Sequence, residues 1–249
     1  MEYIKILKEY IDTFLNFIYP RNIYCIICNS SIEREEEYSI CDECKDKLKF
    51  IWEKTCDKCG KPLDELYLAD RCPECIDNSH YYTKAVSCIE YDDSAKKTIY
   101  DLKYHKKRYI AYHVAEIIYD RLIESDIHDF DIIIPVPLHK ARQRERSFNQ
   151  AGIISKYIGK MMNIDVDNRS LIRCRNTITQ NQLTKEERRK NLEDAFEIIN
   201  NNNIRDKNVL LIDDIYTTGS TVNQCSKVLT ESGALNVYVA TFATGRNYY

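Results

Sequence analysis

Glycine is scarce in this sequence, with six in 249 residues, and none sits in a G-x-G-x-x-G or G-x-x-x-x-G-K-[ST] pattern. A dinucleotide-binding fingerprint and a Walker A loop are therefore both absent. No apolar run reaches the ~18–20 residues that a membrane span needs. Charge of one sign is missing as well. The 36 Lys and Arg against 39 Asp and Glu leave a formal net charge of −3, which argues against a globally basic nucleic-acid binder and leaves only local patches. The N-terminus lacks the uninterrupted apolar stretch and small-residue cleavage site of a secretion signal, so a cytoplasmic protein is expected. Residues 1–20 instead place Ile4, Leu7, Ile11, Phe14, Leu15 and Ile18 at helical spacing among Lys5, Lys8, Glu9 and Asp12. That pattern predicts an amphipathic helix ending before Pro20, packed on the rest of the protein or on a partner.

Cysteine is abundant. Eight of the eleven cysteines form four CxxC pairs: Cys25/Cys28, Cys41/Cys44, Cys56/Cys59 and Cys72/Cys75. Each cysteine of the first four recurs exactly one 31-residue offset later, so the segment is an internal duplication of a CxxC-x12-CxxC unit. Two residues between thiolates let a tight turn aim both sulfurs at one ion, and two such turns close a tetrahedral four-sulfur zinc site. Disulfides would need an oxidising compartment, and a redox CxxC would be single. Two sequential structural Zn²⁺ sites are expected, although the spacing also permits an interleaved arrangement. Gly60 after Cys59 suits a turn residue with φ > 0, and Asn29 is its tolerable equivalent. Closed sites leave no position for a catalytic water, so this region reads as scaffold or interaction surface. Cys88, Cys174 and Cys225 read as small core residues.

From about residue 80 onward the chain alternates predicted strands (85–91, 131–136, 208–212, 236–242) with helical patterns (within 94–125, 147–162, 221–231). The runs Ile132-Ile133-Ile134 and Val209-Leu210-Leu211-Ile212 suit strands buried on both faces. The expected class is α/β, a parallel sheet flanked by helices and preceded by a small four-cysteine domain. The expected division is a helix over 1–20, a double cysteine unit over 21–79 and the α/β domain over 80–249.

The strongest functional signal is the apolar strand at 209–212 followed by Asp213 and Asp214, and then by Thr217, Thr218, Gly219, Ser220 and Thr221 before a helix. Loop amides and the positive end of the helix make an anion cradle, the hydroxyls add donors, and the glycine lets the backbone approach closely. The two acids suit sugar hydroxyls or waters on Mg²⁺. A ligand carrying a phosphate and a diol satisfies both halves. This segment resembles the phosphoribosyl pyrophosphate (PRPP) motif of type I phosphoribosyltransferases. The resemblance implies that fold, with Asp213 and Asp214 on the ribose hydroxyls and 217–221 on the 5-phosphate. The stretch from Asp131 through Pro135-Val136-Pro137-Leu138 to Arg142, Arg146, Phe148, Asn149, Gln150 and Ala151 is similar to the ComF family of competence proteins. So are Leu171, Arg173, Arg175, Thr177, Gln180, Leu183, Arg188, Asn191 and Phe196. Ser147 departs from the Arg-Gly-Phe expected there.

That resemblance implies a pyrophosphate site near Val136, Pro137, Leu138 and Arg146, with backbone amides of Val136 and Leu138 as donors. It also implies a basic mobile loop over 173–191, Mg²⁺ bound with PRPP, and a role in DNA uptake and natural transformation with other competence or recombination proteins as partners of the zinc region. Lys96, Lys97, Lys103, Lys106, Lys107 and Arg108, interleaved with Tyr100 and Tyr104, form a local cationic and aromatic patch that suits single-stranded DNA; a solvated helix face is the competing reading. His105 and His139 read as surface residues. Three functions fit: a PRPP-binding competence protein that handles single-stranded DNA, an active phosphoribosyltransferase with a nitrogenous acceptor, or a zinc-dependent interaction module with a vestigial PRPP site. No general base or acceptor-recognition element is visible.

Overall fold

The computed structural model describes residues 22–33, 36–52, 54–105, 107–125, 127–175, 192 and 194–245. The helix expected over 1–20, Lys106 and most of the expected mobile loop lie outside them. The chain forms two compact units, Met1–Lys47 and Leu48–Tyr249. The second cysteine group thus belongs to the same unit as the sheet.

The two cysteine groups repeat each other in backbone detail. In the first, Cys25 N–H donates to Ser30 O and Asn29 N–H to Cys25 O; in the second, Cys56 N–H donates to Lys61 O and Gly60 N–H to Cys56 O. Asn29 and Gly60 both adopt φ of 67°. The short bridges Tyr24–Ser31 and Thr55–Pro62 are the same pairing one repeat apart. Each second knuckle opens a short helix, α1 (Asp42–Lys45) after Cys41 and α2 (Pro73–Asp77) after Cys72. Glycine is required at 60, because a Cβ there would stand 2.4 Å from Ala85 O.

The second unit is built on four parallel strands in the order β1 (Lys84–Glu90), β6 (Asn236–Thr244), β5 (Asn208–Tyr216) and β2 (Ile132–Pro135). Val166 extends this order by a parallel bridge to Ile133. Between the strands run α3 (Asp93–Tyr104), α4 (Ile110–Glu124), α5 (Lys140–Arg146), α6 (Gln150–Met162) and α7 (Ser220–Glu231). Asp92 caps α3 by accepting the Ala95 N–H. Helices α4 and α6 pack against each other and on the strands. The opposing side residues Ile132, Ile134, Val209, Leu211, Val237 and Val239 share a core with Val222, Cys225 and Leu229 of α7, and with Cys56, Cys59, Cys72 and Cys75. No described helix is long and apolar enough to cross a membrane.

Three features differ from the sequence-based expectation. Strand β5 does not stop at Ile212 but continues to Tyr216, because β6 keeps pairing with it as far as Tyr216–Thr244. Its neighbour β2 ends at Pro135, opposite Ile212, so Asp213 and Asp214 lie beyond the last β2 rung with that edge open. A short antiparallel pair, β3 (Leu171–Arg173) with β4 (Phe196–Ile198), brackets the undescribed segment. The strand β3 is followed by an exposed Cys174, not the core residue expected; its thiol donates to Asp194 O. Cys88 and Cys225 are buried as expected.

Candidate functional site

Two four-cysteine centres are formed, Cys25/Cys28/Cys41/Cys44 and Cys56/Cys59/Cys72/Cys75, with the ligand atoms of each within 4.8 Å of one another. The ligation is sequential, not interleaved. Four sulfurs at ~2.3 Å from a zinc ion in a tetrahedron stand about 3.8 Å apart. Cys28 and Cys41 are separated by 3.6 Å and Cys59 and Cys72 by 3.7 Å, so the donor sets fit zinc. Backbone N–H groups of Ile27 and Cys72 donate to Cys25 and Cys56 Sγ, the orienting contacts that thiolate ligands take. The Ser30 hydroxyl beside Cys28 draws its thiol down to about 6.

The second candidate site is a cleft of about 440 Å³ at the carboxyl ends of β2 and β5. Topology places it there. After β2 the chain passes through α6 to the Val166 edge, whereas after β5 it passes through α7 to β6 on the opposite side. The connections diverge between these neighbouring strands, and such a switch point opens a crevice where α/β sheets take ligands.

Asp213 and Asp214 form its floor. Asp214 N–H donates to Asp213 Oδ1 at 2.9 Å. Burial, and then the adjacent Asp214 carboxylate, push Asp213 well above the ordinary carboxylate range. Burial also acts upward on Asp214, but the Lys103 ammonium of α3 pairs with it and holds it below its usual value. The two neighbouring acids are therefore split in acidity, Asp213 the weaker acid and Asp214 the stronger. This couple can accept and donate hydrogen bonds to a diol.

Three guanidinium groups, Arg142, Arg146 and Arg173, line the same cleft as the acids. Arg146 Nη2 donates to Tyr104 Oη at 3.0 Å, and Nη1 donates to Gln150 Oε1 at 3.3 Å. Its Nε and the Gln150 Nε2 are buried with no hydrogen-bond partner among the described residues. Arg173 is 8 % exposed, lies over the Phe196 ring and is pushed down by burial and by Arg142. Arg142 is pushed down likewise by burial and by Arg146. Crowded cations and unspent donors in a cleft favour a multivalent anion.

The remaining expected residues divide. Val136, Pro137, Leu138, Thr217, Gly219 and Thr221 line the cleft. The Val136 amide, expected to bind pyrophosphate, instead donates to Ile212 O at 2.8 Å as the last rung of the ladder. Its carbonyl accepts from Asn149 Nδ2. Thr218 and Ser220 turn away: their hydroxyls hydrogen-bond each other at 2.8 Å and line a separate polar hollow beside Asn223 and Lys227. Gly219 has φ of 72°, and a Cβ there would meet Tyr216 Oη at 2.2 Å. Ser147, which stands where a glycine was expected, has φ of 68°, the conformation that favours glycine.

The cationic patch is also divided. Lys96 and Lys103 line the cleft with Tyr91, Tyr100 and Tyr104. Lys107 pairs with Asp101, which His105 also contacts, and Arg108 stacks on Phe148. Lys97 is exposed and Lys106 is not among the described residues. His139 caps α5. Sequence reasoning missed the Lys103–Asp214 pair, because nothing in their spacing brings α3 to β5.

A parallel sheet flanked by helices, with a diacid strand and glycine loop at its switch point and two four-cysteine groups ahead of it in sequence, defines an α/β ligand-binding architecture preceded by a double zinc ribbon. Competence protein F of Haemophilus influenzae is 30 % identical over 223 residues, covering 88 % of this chain and 95 % of that protein. The chain belongs to that competence protein F family. The double zinc ribbon domain family matches residues 14–76. Competence protein ComFC of Bacillus subtilis is 26 % identical over 236 residues, covering 85 % of this chain and 90 % of the other. DNA utilization protein YhgH of Escherichia coli K12 is 26 % identical over 207 residues, covering 81 % and 88 %. Among solved structures, adenine phosphoribosyltransferase of Thermoanaerobacter pseudethanolicus aligns over 57 % of this chain and 83 % of its own, with 11 % identity and a TM-score of 0.36.

Proposed function

We propose that this protein binds PRPP together with Mg²⁺ in the cleft between β2 and β5, and that it serves DNA uptake by handling single-stranded DNA. The observation that carries the reading is the convergence, at one switch point, of a diacid, a glycine-bearing loop at a helix start and three crowded guanidiniums. Asp213 and Asp214 hold the ribose hydroxyls. Thr217, Gly219 and Thr221 receive the 5-phosphate at the start of α7. Arg142, Arg146 and Arg173 receive the pyrophosphate, whose bound Mg²⁺ is reached by the acids through water. The names of the relatives, a competence protein and a DNA utilization protein, support the DNA role. Lys97, Lys107 and Arg108, beside Tyr100 and Tyr104, offer the charges and ring faces that a single strand takes. The partners of the first zinc unit belong to the same uptake system in this reading.

A second reading, phosphoribosyl transfer to a nitrogenous acceptor, is favoured by the tyrosine wall of Tyr91, Tyr100 and Tyr104 on the cleft, a surface for a flat ring. In that case pyrophosphate leaves the anomeric carbon as the acceptor nitrogen bonds to it, and the guanidiniums stabilise the departing charge.

Calorimetric titration of PRPP with Mg²⁺ into the zinc-replete protein tests the binding site. Saturable heat is expected in the parent and none in Asp213→Asn/Asp214→Asn. No heat at millimolar PRPP from a folded parent would refute the site. Steady pyrophosphate release on adding a purine, pyrimidine or amine would decide for the second reading. Single-stranded DNA affinity that falls steeply with salt is expected of the first.

A further inference from the structure

The second four-cysteine centre and the phosphate loop are joined by a continuous line of side chains. Cys75 Sγ lies 3.4 Å from His80 Nε2. The His80 ring stacks on Tyr82 with centroids 5.0 Å apart. Tyr82, with no exposure, shares a 2.7 Å hydrogen bond between hydroxyls with Tyr216, which is 2 % exposed. The Tyr216 hydroxyl occupies the space that a side chain at Gly219 would need. Lys61, from the other knuckle of the same centre and 3 % exposed, pairs with Glu74 at 2.9 Å and lies over the Tyr216 ring. Tyr216 therefore meets the cysteine centre from two directions and touches the loop at its glycine. A buried hydroxyl pair has no water to substitute for a lost partner, so its geometry is strongly fixed.

We infer that Tyr82 and Tyr216 are positioning residues that transmit the geometry of the Cys56/Cys59/Cys72/Cys75 centre to the loop at 217–221, so that anion binding there depends on metal in this centre and not on metal in the Cys25/Cys28/Cys41/Cys44 centre. Metal at the second centre fixes the turn carrying Lys61 and the helix ending before His80. With the metal removed, both supports of the Tyr216 ring are released. The identity of the anion as PRPP rests on the proposed function, whereas the support of the loop does not.

The experiment uses the full chain and two readouts: amide hydrogen exchange in 217–221 without ligand, and PRPP affinity by calorimetry. Tyr82→Phe removes one hydroxyl and keeps the ring. It is expected to fold and retain both zinc equivalents, with a melting temperature lowered by several degrees because the buried Tyr216 hydroxyl loses its partner. Its loop amides should exchange several-fold faster, and PRPP should bind ~3- to 10-fold more weakly. Stepwise chelation, with the freed thiols mapped by alkylation, supplies the second arm. The first centre contains the exposed Cys28 and is expected to yield its metal first, without change in the loop; loss from the buried second centre should raise loop exchange and abolish PRPP heat. Unchanged loop exchange in Tyr82→Phe, or loop exchange that rises on emptying the first centre, would overturn the inference. A parent that binds no PRPP would refute the proposed function while the exchange comparison still decides the role of the tyrosines.

Discussion

Replacing Lys103 by Met should destabilise the protein in a strongly pH-dependent way. Lys103 and Asp214 are 18 % and 14 % exposed, so their pair is shielded from most of the solvent that weakens surface ion pairs. Exposed pairs contribute ~0–1 kcal/mol, whereas removing one partner of a fully buried pair costs ~3–5 kcal/mol. At this partial burial the expected loss is about 2–3 kcal/mol at pH 7. Methionine keeps most of the apolar stem, so packing contributes little of it. Lys103 holds the folded-state Asp214 below its ordinary value, which means that the folded state releases this proton more readily than the unfolded chain does. The stabilisation is thus fully present above the unfolded carboxylate value of ~3.9 and is lost as pH falls through the lower folded value. Urea unfolding at pH 7 and at the acidic limit of the folded state should show the difference between parent and Lys103→Met narrowing as pH falls through the folded value. Adding Asp214→Asn to Lys103→Met should restore much of the stability at pH 7, since the buried uncompensated charge is then gone. An equal loss at both pH values would refute the electrostatic account and leave a packing effect.

Asp213→Asn should show the opposite sign. Asp213 is pushed up by burial and by Asp214, so the folded state keeps a proton that the unfolded chain loses, and parental stability falls as pH rises from about 4 through the folded value. The Asn variant lacks that decline; denaturation at pH 7 should find it at least as stable as the parent while its PRPP binding is lost. Gly219→Ala places a Cβ 2.2 Å from Tyr216 Oη at a φ of 72°, and displacing Tyr216 also breaks its bond to Tyr82. Left-handed strain of ~1–2 kcal/mol plus a disrupted buried hydrogen bond of ~1–3 kcal/mol predicts a loss of about 3 kcal/mol in urea unfolding.

The cysteine centres were the most legible part of the sequence. The exact 31-residue offset sets identical turns, and the duplicated hydrogen bonds around Cys25 and Cys56 follow from it. The core strands were visible because parallel strands buried on both faces leave uninterrupted apolar runs such as 209–212. Their ends were not visible. Asp213 and Asp214 read as the end of a strand, yet Asp213 pairs with Thr241 of β6 and the pairing resumes at Ile215, because register is set by the neighbouring strand and not by local polarity. The same blindness to pairing assigned the Val136 amide to a ligand when a ladder rung takes it. Thr218 and Ser220 looked equivalent to Thr217 and Thr221, but a turn followed by a helix distributes successive side chains to different sides. Contacts across long separations, such as Lys103 with Asp214 or Tyr82 with Tyr216, leave no periodic trace in sequence. The lysines of 96–107 are individually ordinary, and only the fold shows that Lys103 is engaged at the cleft floor while Lys97 is open.

A crystal structure of the zinc-replete protein with PRPP and Mg²⁺ would test the central claim most directly. The account predicts the ribose hydroxyls within hydrogen-bond distance of Asp213 and Asp214, the 5-phosphate against the loop at Thr217, Gly219 and Thr221, and the pyrophosphate facing Arg142, Arg146 and Arg173. PRPP bound elsewhere with this cleft unchanged, or its 5-phosphate seated among the arginines away from the glycine loop, would contradict it.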